Sequence, residues 1–164
     1  MVRRLRKGDT ASSSIEVVRP PDDVWALVGD PLRYPALSPE TFRVSWLRGA
    51  TAPAVGARFR GWNRKRAAVW ATTCRVDAYE PGHVLSFTPV TAGSLTRWTW
   101  QVEPGASPGT TRLTETVELA KDMPLVLVAY ELVAMGDSDR LAALQDNVAA
   151  SVARVKEHLE DRTV

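Results

Sequence analysis

Residues 113–119 read Leu-Thr-Glu-Thr-Val-Glu-Leu, and strand alternation puts Glu115 on the same face as Leu113, Val117 and Leu119. A carboxylate on an apolar face is costly unless a partner or a raised pKa relieves it. Such a group can act as a general acid/base, or anchor a ligand hydroxyl or amine. It can equally be a structural carboxylate pinned to Arg97, Arg64 or Asn63. The same period of two aims Phe59, Gly61 and Asn63 to one side of their strand. It does so for Trp70, Thr72, Cys74 and Val76 on the next, and for Trp98, Trp100 and Val102 on another. A β-bulge would exchange the two faces of any of these strands. Asn63 can donate to a ligand carbonyl or satisfy a loop backbone.

Six of the twelve aromatic residues are tryptophan. Trp70, Trp98 and Trp100 on inward faces would suit a planar polycyclic molecule, and would equally fill a curved sheet. Phe87, Val117 and Tyr130 complete the candidate lining, with Glu115 the one candidate catalytic residue. Cys74 needs a neighbouring base to act as a nucleophile. Neither His83, beside a turn, nor His158, on a C-terminal helix, is expected near it, so Cys74 reads as a small buried hydrophobe. The basic run at Arg58, Arg60, Arg64, Lys65 and Arg66 is either a positive mouth for an acidic ligand or a solvated strand end.

Composition closes off several chemistries. One cysteine excludes an internal disulfide, and two histidines make an all-protein zinc site improbable, so no metal is expected. Residues 56–61 (Gly-Ala-Arg-Phe-Arg-Gly) form no phosphate loop, and HExxH, GxSxG and CxxC are absent. No cofactor is expected. Lys plus Arg at 21 against Asp plus Glu at 19 gives a net charge of +2, which offers no nucleic-acid footprint. The longest mostly apolar stretch, residues 123–135, contains Glu131 and is too short to cross a bilayer. The basic N-terminal run lacks the apolar core of a signal peptide, so a cytoplasmic monomer or homodimer is the expectation.

These side chains need strands to aim them and a helix to close the space they face. Strands are expected at residues 13–19, 42–48, 57–64, 68–79, 83–88, 96–103 and 111–119, broken by Pro/Gly turns and forming an antiparallel sheet. Phe42, Val44 and Trp46 should share one face. Residues 21–28 open with proline and two aspartates and stop at Gly29, the pattern of a short helix, and the proline-rich 31–39 leaves room for one more turn. Leu141, Leu144, Val148, Val152, Val155 and Leu159 recur at spacings of three and four. They mark an amphipathic helix over about 139–161, with Arg140, Asp146, Arg154, Glu157 and Glu160 opposite. Residues 124–135 are either a further helical piece or an apolar flap. Residues 1–12 read as a flexible basic tail, and 13–162 as one domain, within the usual size range for one.

The order strand, two short helices, six strands, long helix is that of an α+β helix-grip fold, a curved antiparallel sheet wrapped around a C-terminal helix. The sequence resembles the polyketide cyclase/dehydrase-like branch of the START-like (SRPBCC) superfamily, of actinobacterial type. The resemblance rests on Ser38-Pro39-Glu40, Val55-Gly56-Ala57-Arg58-Phe59-Arg60-Gly61, Asn63-Arg64, Trp70-Ala71-Thr72-Thr73-Cys74, Tyr79-Glu80-Pro81-Gly82, Thr96-Arg97-Trp98 and Leu113-Thr114-Glu115-Thr116, in order along nearly the whole chain. It implies a cavity between sheet and helix for a hydrophobic, planar or polyketide-like small molecule. The scaffold serves binding proteins and enzymes alike. One alternative is therefore a cofactor-free cyclase/dehydratase using Glu115 as acid/base. Another is a helper protein that docks on a partner.

Overall fold

A computed structural model describes residues 4–130, 132, 133, 136 and 139–161, with Ala92 and Tyr130 described for the backbone only. Seven strands form one sheet in the order β1-β7-β6-β5-β4-β3-β2, every neighbouring pair antiparallel. They are β1 (Thr10–Val17), β2 (Thr41–Leu47), β3 (Arg58–Lys65), β4 (Ala68–Glu80), β5 (Val84–Pro89), β6 (Thr96–Pro104) and β7 (Thr111–Leu119). Between β1 and β2 lie α1 (Pro21–Val28) and α2 (Tyr34–Leu37), and after β7 come α3 (Leu125–Tyr130) and the long α4 (Arg140–Glu160). This is the helix-grip α+β fold, with α4 packed on β1, β7, α1 and α2. Among the described residues no helix is long and apolar enough to cross a membrane.

Local chemistry explains the boundaries. Pro21 begins α1, where its missing N–H costs nothing, and Asp22 and Asp23 sit at the positive end of its dipole. Gly29 is its C-cap, a position where a Cβ would lie 2.5 Å from the Trp25 ring. Asp139 caps α4, its side chain accepting from the Ala142 N–H at 3.2 Å. Residues 124–135 resolve in part into α3, whose Leu127 and Val128 pack inward while Leu125 and Val126 stay exposed.

Three expectations are corrected. The N-terminal stretch is not loose from residue 5 onward. The Leu5 carbonyl accepts from the Met123 N–H at 3.1 Å, the Leu119 carbonyl accepts from Gly8, and Leu119 donates to the Asp9 carbonyl. Pairing with β7 starts β1 at Thr10 instead of 13, and Leu5 and Ala11, each 1% exposed, join Val117, Leu119, Met123, Leu144 and Val148 in an apolar cluster. Leu5→Ala is therefore expected to cost about 2–4 kcal/mol in urea denaturation, where a free tail would give no change. Phe42 does not share a face with Val44 and Trp46. A register shift between Thr41 and Arg43 turns it outward, 48% exposed, with the Arg64 guanidinium 5.7 Å from its ring. Arg140 does not face solvent on α4; it turns toward Glu40.

A second bulge, between Val76 and Ala78, lies past the inward residues of β4. Alternation is therefore intact from Trp70 to Val76. Cross-strand register then lines up Asn63 with Trp70, Gly61 with Thr72, Phe59 with Cys74, Phe87 with Trp98, and Trp100 with Glu115. These rows face α4 and α2.

Candidate functional site

The concave face of the sheet does not close on the helices. It leaves a cavity of about 420 Å³, lined by strands β2 to β7 and by α2, α3 and α4. That is the lower part of the range of small-molecule sites. Its middle is aromatic. Tyr34 of α2 is the hub, with ring centroids 5.8 Å from Phe87 and 6.3 Å from both Phe59 and Trp100. Phe59 and Phe87 meet edge-on at 5.2 Å. The Tyr34 hydroxyl donates to the Val28 carbonyl at 3.2 Å and is also hydrogen-bonded to the Trp100 side chain. Burial holds its pKa well above the usual phenol value. Tyr34 is fixed, neutral and apolar toward the cavity.

Besides Thr91 and Thr96, two clusters of polar side chains stand on this wall. In the first, Thr41 Oγ1 donates to Asn63 Oδ1 at 2.7 Å, and Asn63 Nδ2 reaches Thr72 Oγ1 at 3.5 Å. Beside them Glu40 pairs with Arg140 at 3.3 Å and with Lys65 at 3.8 Å. That ion pair ties the approach to β2 to the first turn of α4. The second joins β7 to the middle of α4. There Glu115, Asn147 and Ser151 all line the cavity, at 5%, 8% and 4% exposure.

Glu115 is the chemical centre of the second group. Burial pushes its pKa up to about 8, and its carboxyl is hydrogen-bonded to the Ser151 side chain. Ser151 Oγ gives its own hydrogen to the Asn147 carbonyl at 3.0 Å, so toward Glu115 it is an acceptor. That arrangement suits the protonated acid. Glu115 Oε2 is left with no partner. Trp46 Nε1 is the other unpartnered buried side-chain atom among the described residues, but Trp46 does not line the cavity. The partners expected for a structural carboxylate are elsewhere. Arg64 turns outward over Phe42, Asn63 is held by Thr41 and Thr72, and Arg97 is exposed on the opposite face of β6, so none reaches the carboxyl.

Of the residues singled out from the sequence, Phe59, Asn63, Trp70, Thr72, Cys74, Phe87, Trp98, Trp100 and Glu115 all border this one cavity. Val117 does not. It is fully buried against Leu5, Leu144 and Val148 in the apolar cluster beside β1. Tyr130 ends α3, and its side chain lies outside the described residues. The tryptophans share the wall without a ring pair among themselves; Trp98 Nε1 donates to Thr96 Oγ1 at 3.2 Å. Burial pushes the Cys74 thiol up to about 12, which leaves no thiolate at neutral pH. His83 is exposed at the β4–β5 turn. No group of three or more His, Cys, Asp or Glu that could hold a metal exists among the described residues.

Sequence reasoning missed Tyr34, Asn147 and Ser151. A polar residue inside the apolar stripe of α4 was the available signal for the last two. Asn147 adjoins Val148, and Ser151 adjoins Val152, at helix positions one turn apart.

The family model described as polyketide cyclase / dehydrase and lipid transport matches residues 9–160. No curated protein matches the sequence. Among solved structures, a Polyketide_cyc-like protein of Corynebacterium glutamicum is 25% identical, with a TM-score of 0.64 over 96% of this chain and 95% of that one. The Zhui aromatase/cyclase from Streptomyces sp. R1128 is 18% identical, with a TM-score of 0.70 over 94% of this chain and 95% of that one. The di-domain aromatase/cyclase StfQ of the steffimycin pathway is 13% identical and reaches 0.71, over 94% of this chain and 51% of its own. The last two likenesses establish the fold.

Proposed function

The chain belongs to the polyketide cyclase / dehydrase and lipid transport family, and from that membership and the cavity together we propose that it binds a hydrophobic, planar or polyketide-like small molecule between the sheet and α4. The observation that carries this reading is the aromatic-lined volume of about 420 Å³ around Tyr34, Phe59, Phe87 and Trp100. Flat rings give a planar guest large contact area at little entropic cost. A protein that only docked on a partner would have no use for such a volume. N-phenyl-1-naphthylamine, a neutral dye that brightens in apolar surroundings, should bind one molecule per chain. Displacement by planar polyketides then ranks the ligands, and absence of any saturable binding would refute the reading.

The second reading is catalysis without a cofactor, and Glu115 favours it. A carboxylic acid that keeps its proton at neutral pH and faces a substrate space can protonate a departing hydroxyl, which leaves as water, and the carboxylate so formed can take the proton released from the adjacent carbon. The cavity would hold the chain in one folded conformer while this happens. Recovery of the bound molecule separates the two. A carrier returns the compound it was given; an enzyme returns one lighter by water or newly cyclised.

A further inference from the structure

The inner polar group raises a question of complementarity that the aromatic wall does not. Glu115 Oε2 is buried and unpartnered on the cavity wall. The Asn147 side-chain amide borders the same cavity, 8% exposed, and makes no hydrogen bond among the described residues. Ser151 sits one helical turn from Asn147 and contacts Glu115, and all three side chains border the same cavity. With the acid's proton directed at Ser151 Oγ, Oε2 is an acceptor, whereas the amide offers both a donor and an acceptor.

Each common end group can be tested against that pair. A ketone or ether takes a bond from Asn147 but leaves Oε2 orphaned. A carboxylate would bring a charge into an apolar cavity and has no hydrogen to give Oε2. An ammonium group would draw the proton off Glu115 and form an ion pair in an apolar cavity, which burial penalises. A hydroxyl gives its hydrogen to one partner and takes a hydrogen from the other, so both groups are satisfied without a charge. We propose that the ligand's inner end is a hydroxyl, held between Glu115 Oε2, which accepts its hydrogen, and the Asn147 side-chain amide, which donates to its oxygen. Asn147 is then a specificity-determining residue. The proposal rests on the cavity being a ligand site.

The test uses 2-naphthol and 2-methylnaphthalene, which differ by hydroxyl against methyl at nearly equal size. Water-to-apolar transfer alone favours the methyl compound. Titration calorimetry of the full chain near pH 6.5 should instead show 2-naphthol binding about ten-fold tighter. Asn147→Leu and, separately, Glu115→Met should reverse the order while 2-methylnaphthalene still binds. Two variants on different elements guard against one failing to fold. If the wild-type protein prefers the methyl compound, or both variants keep the hydroxyl preference, the assignment is overturned and the cavity reading stands. If neither naphthalene binds the wild-type protein, both are overturned.

Discussion

Glu115→Gln is expected to leave stability unchanged near pH 4.5 and to raise it by about 3–5 kcal/mol at pH 9. The sign follows from where the carboxyl ionises. Its ordinary value is 4.5, and burial in the fold raises it to about 8. Below the lower value both folded and unfolded chains hold the proton, so the shift has no effect. Between the two values the unfolded chain has released a proton that the folded protein keeps. Stability therefore falls as pH climbs through this window and levels off above about 8. Glutamine has the same shape and nothing to titrate, so the variant lacks this slope. The lowered pKa values of Asp122 and Glu160, both near the surface, act equally in the two proteins and cancel in the difference. Urea denaturation of both proteins at pH 5, 7 and 9 reads the effect. A constant difference across that range would mean that Glu115 has a cationic partner or free access to water.

The second large effect concerns ligand capture. Gly61 lies on β3, faces the cavity, and has no positive φ that would demand glycine. A Cβ placed there would meet only Thr72 Oγ1 at 3.8 Å and Thr41 Cγ2 at 3.9 Å, ordinary contacts. Any longer side chain must grow into the open volume. Gly61→Phe should therefore fold normally, because a strand gains an aromatic β-former and loses a flexible residue. Its affinity for N-phenyl-1-naphthylamine should drop about 100-fold or more, since the guest and the new ring compete for one space. Gly61→Ala is the control, expected to keep binding and to change stability by less than about 1 kcal/mol. Unchanged dye affinity in a folded Gly61→Phe protein would place the dye elsewhere.

Much of this site was legible before any coordinates because strands carry a strict period of two. An apolar face interrupted by one carboxylate, as at Leu113, Glu115 and Val117, marks both the inward side and its exception. The period fails only where the backbone adds a residue, and nothing in residues 41–43 announces the bulge that exposes Phe42. Tyr34 was hidden for a different reason. It sits among prolines, where neither helix nor strand periodicity operates, and its role comes from tertiary packing against three distant rings. On α4 the large aliphatics dominate the pattern, so the small polar Ser151 and Asn147 pass unnoticed on the buried face. Leu5 is a single apolar residue in a basic run, and only its bond to Met123 and its packing against Val117 and Leu119 reveal its use. Val117 shows the converse limit. Its inward direction followed from alternation, yet parity alone says nothing about whether a neighbour such as Leu5 fills the space in front of it.

We propose that the aromatic cavity is where this protein holds a small hydrophobic molecule. Native mass spectrometry of the wild-type protein and Gly61→Phe, each purified and then exposed to the same excess of 2-naphthol, tests it most directly. One naphthol mass should add to the wild-type chain and none to the variant. Equal addition to both proteins, or none to either, would contradict it.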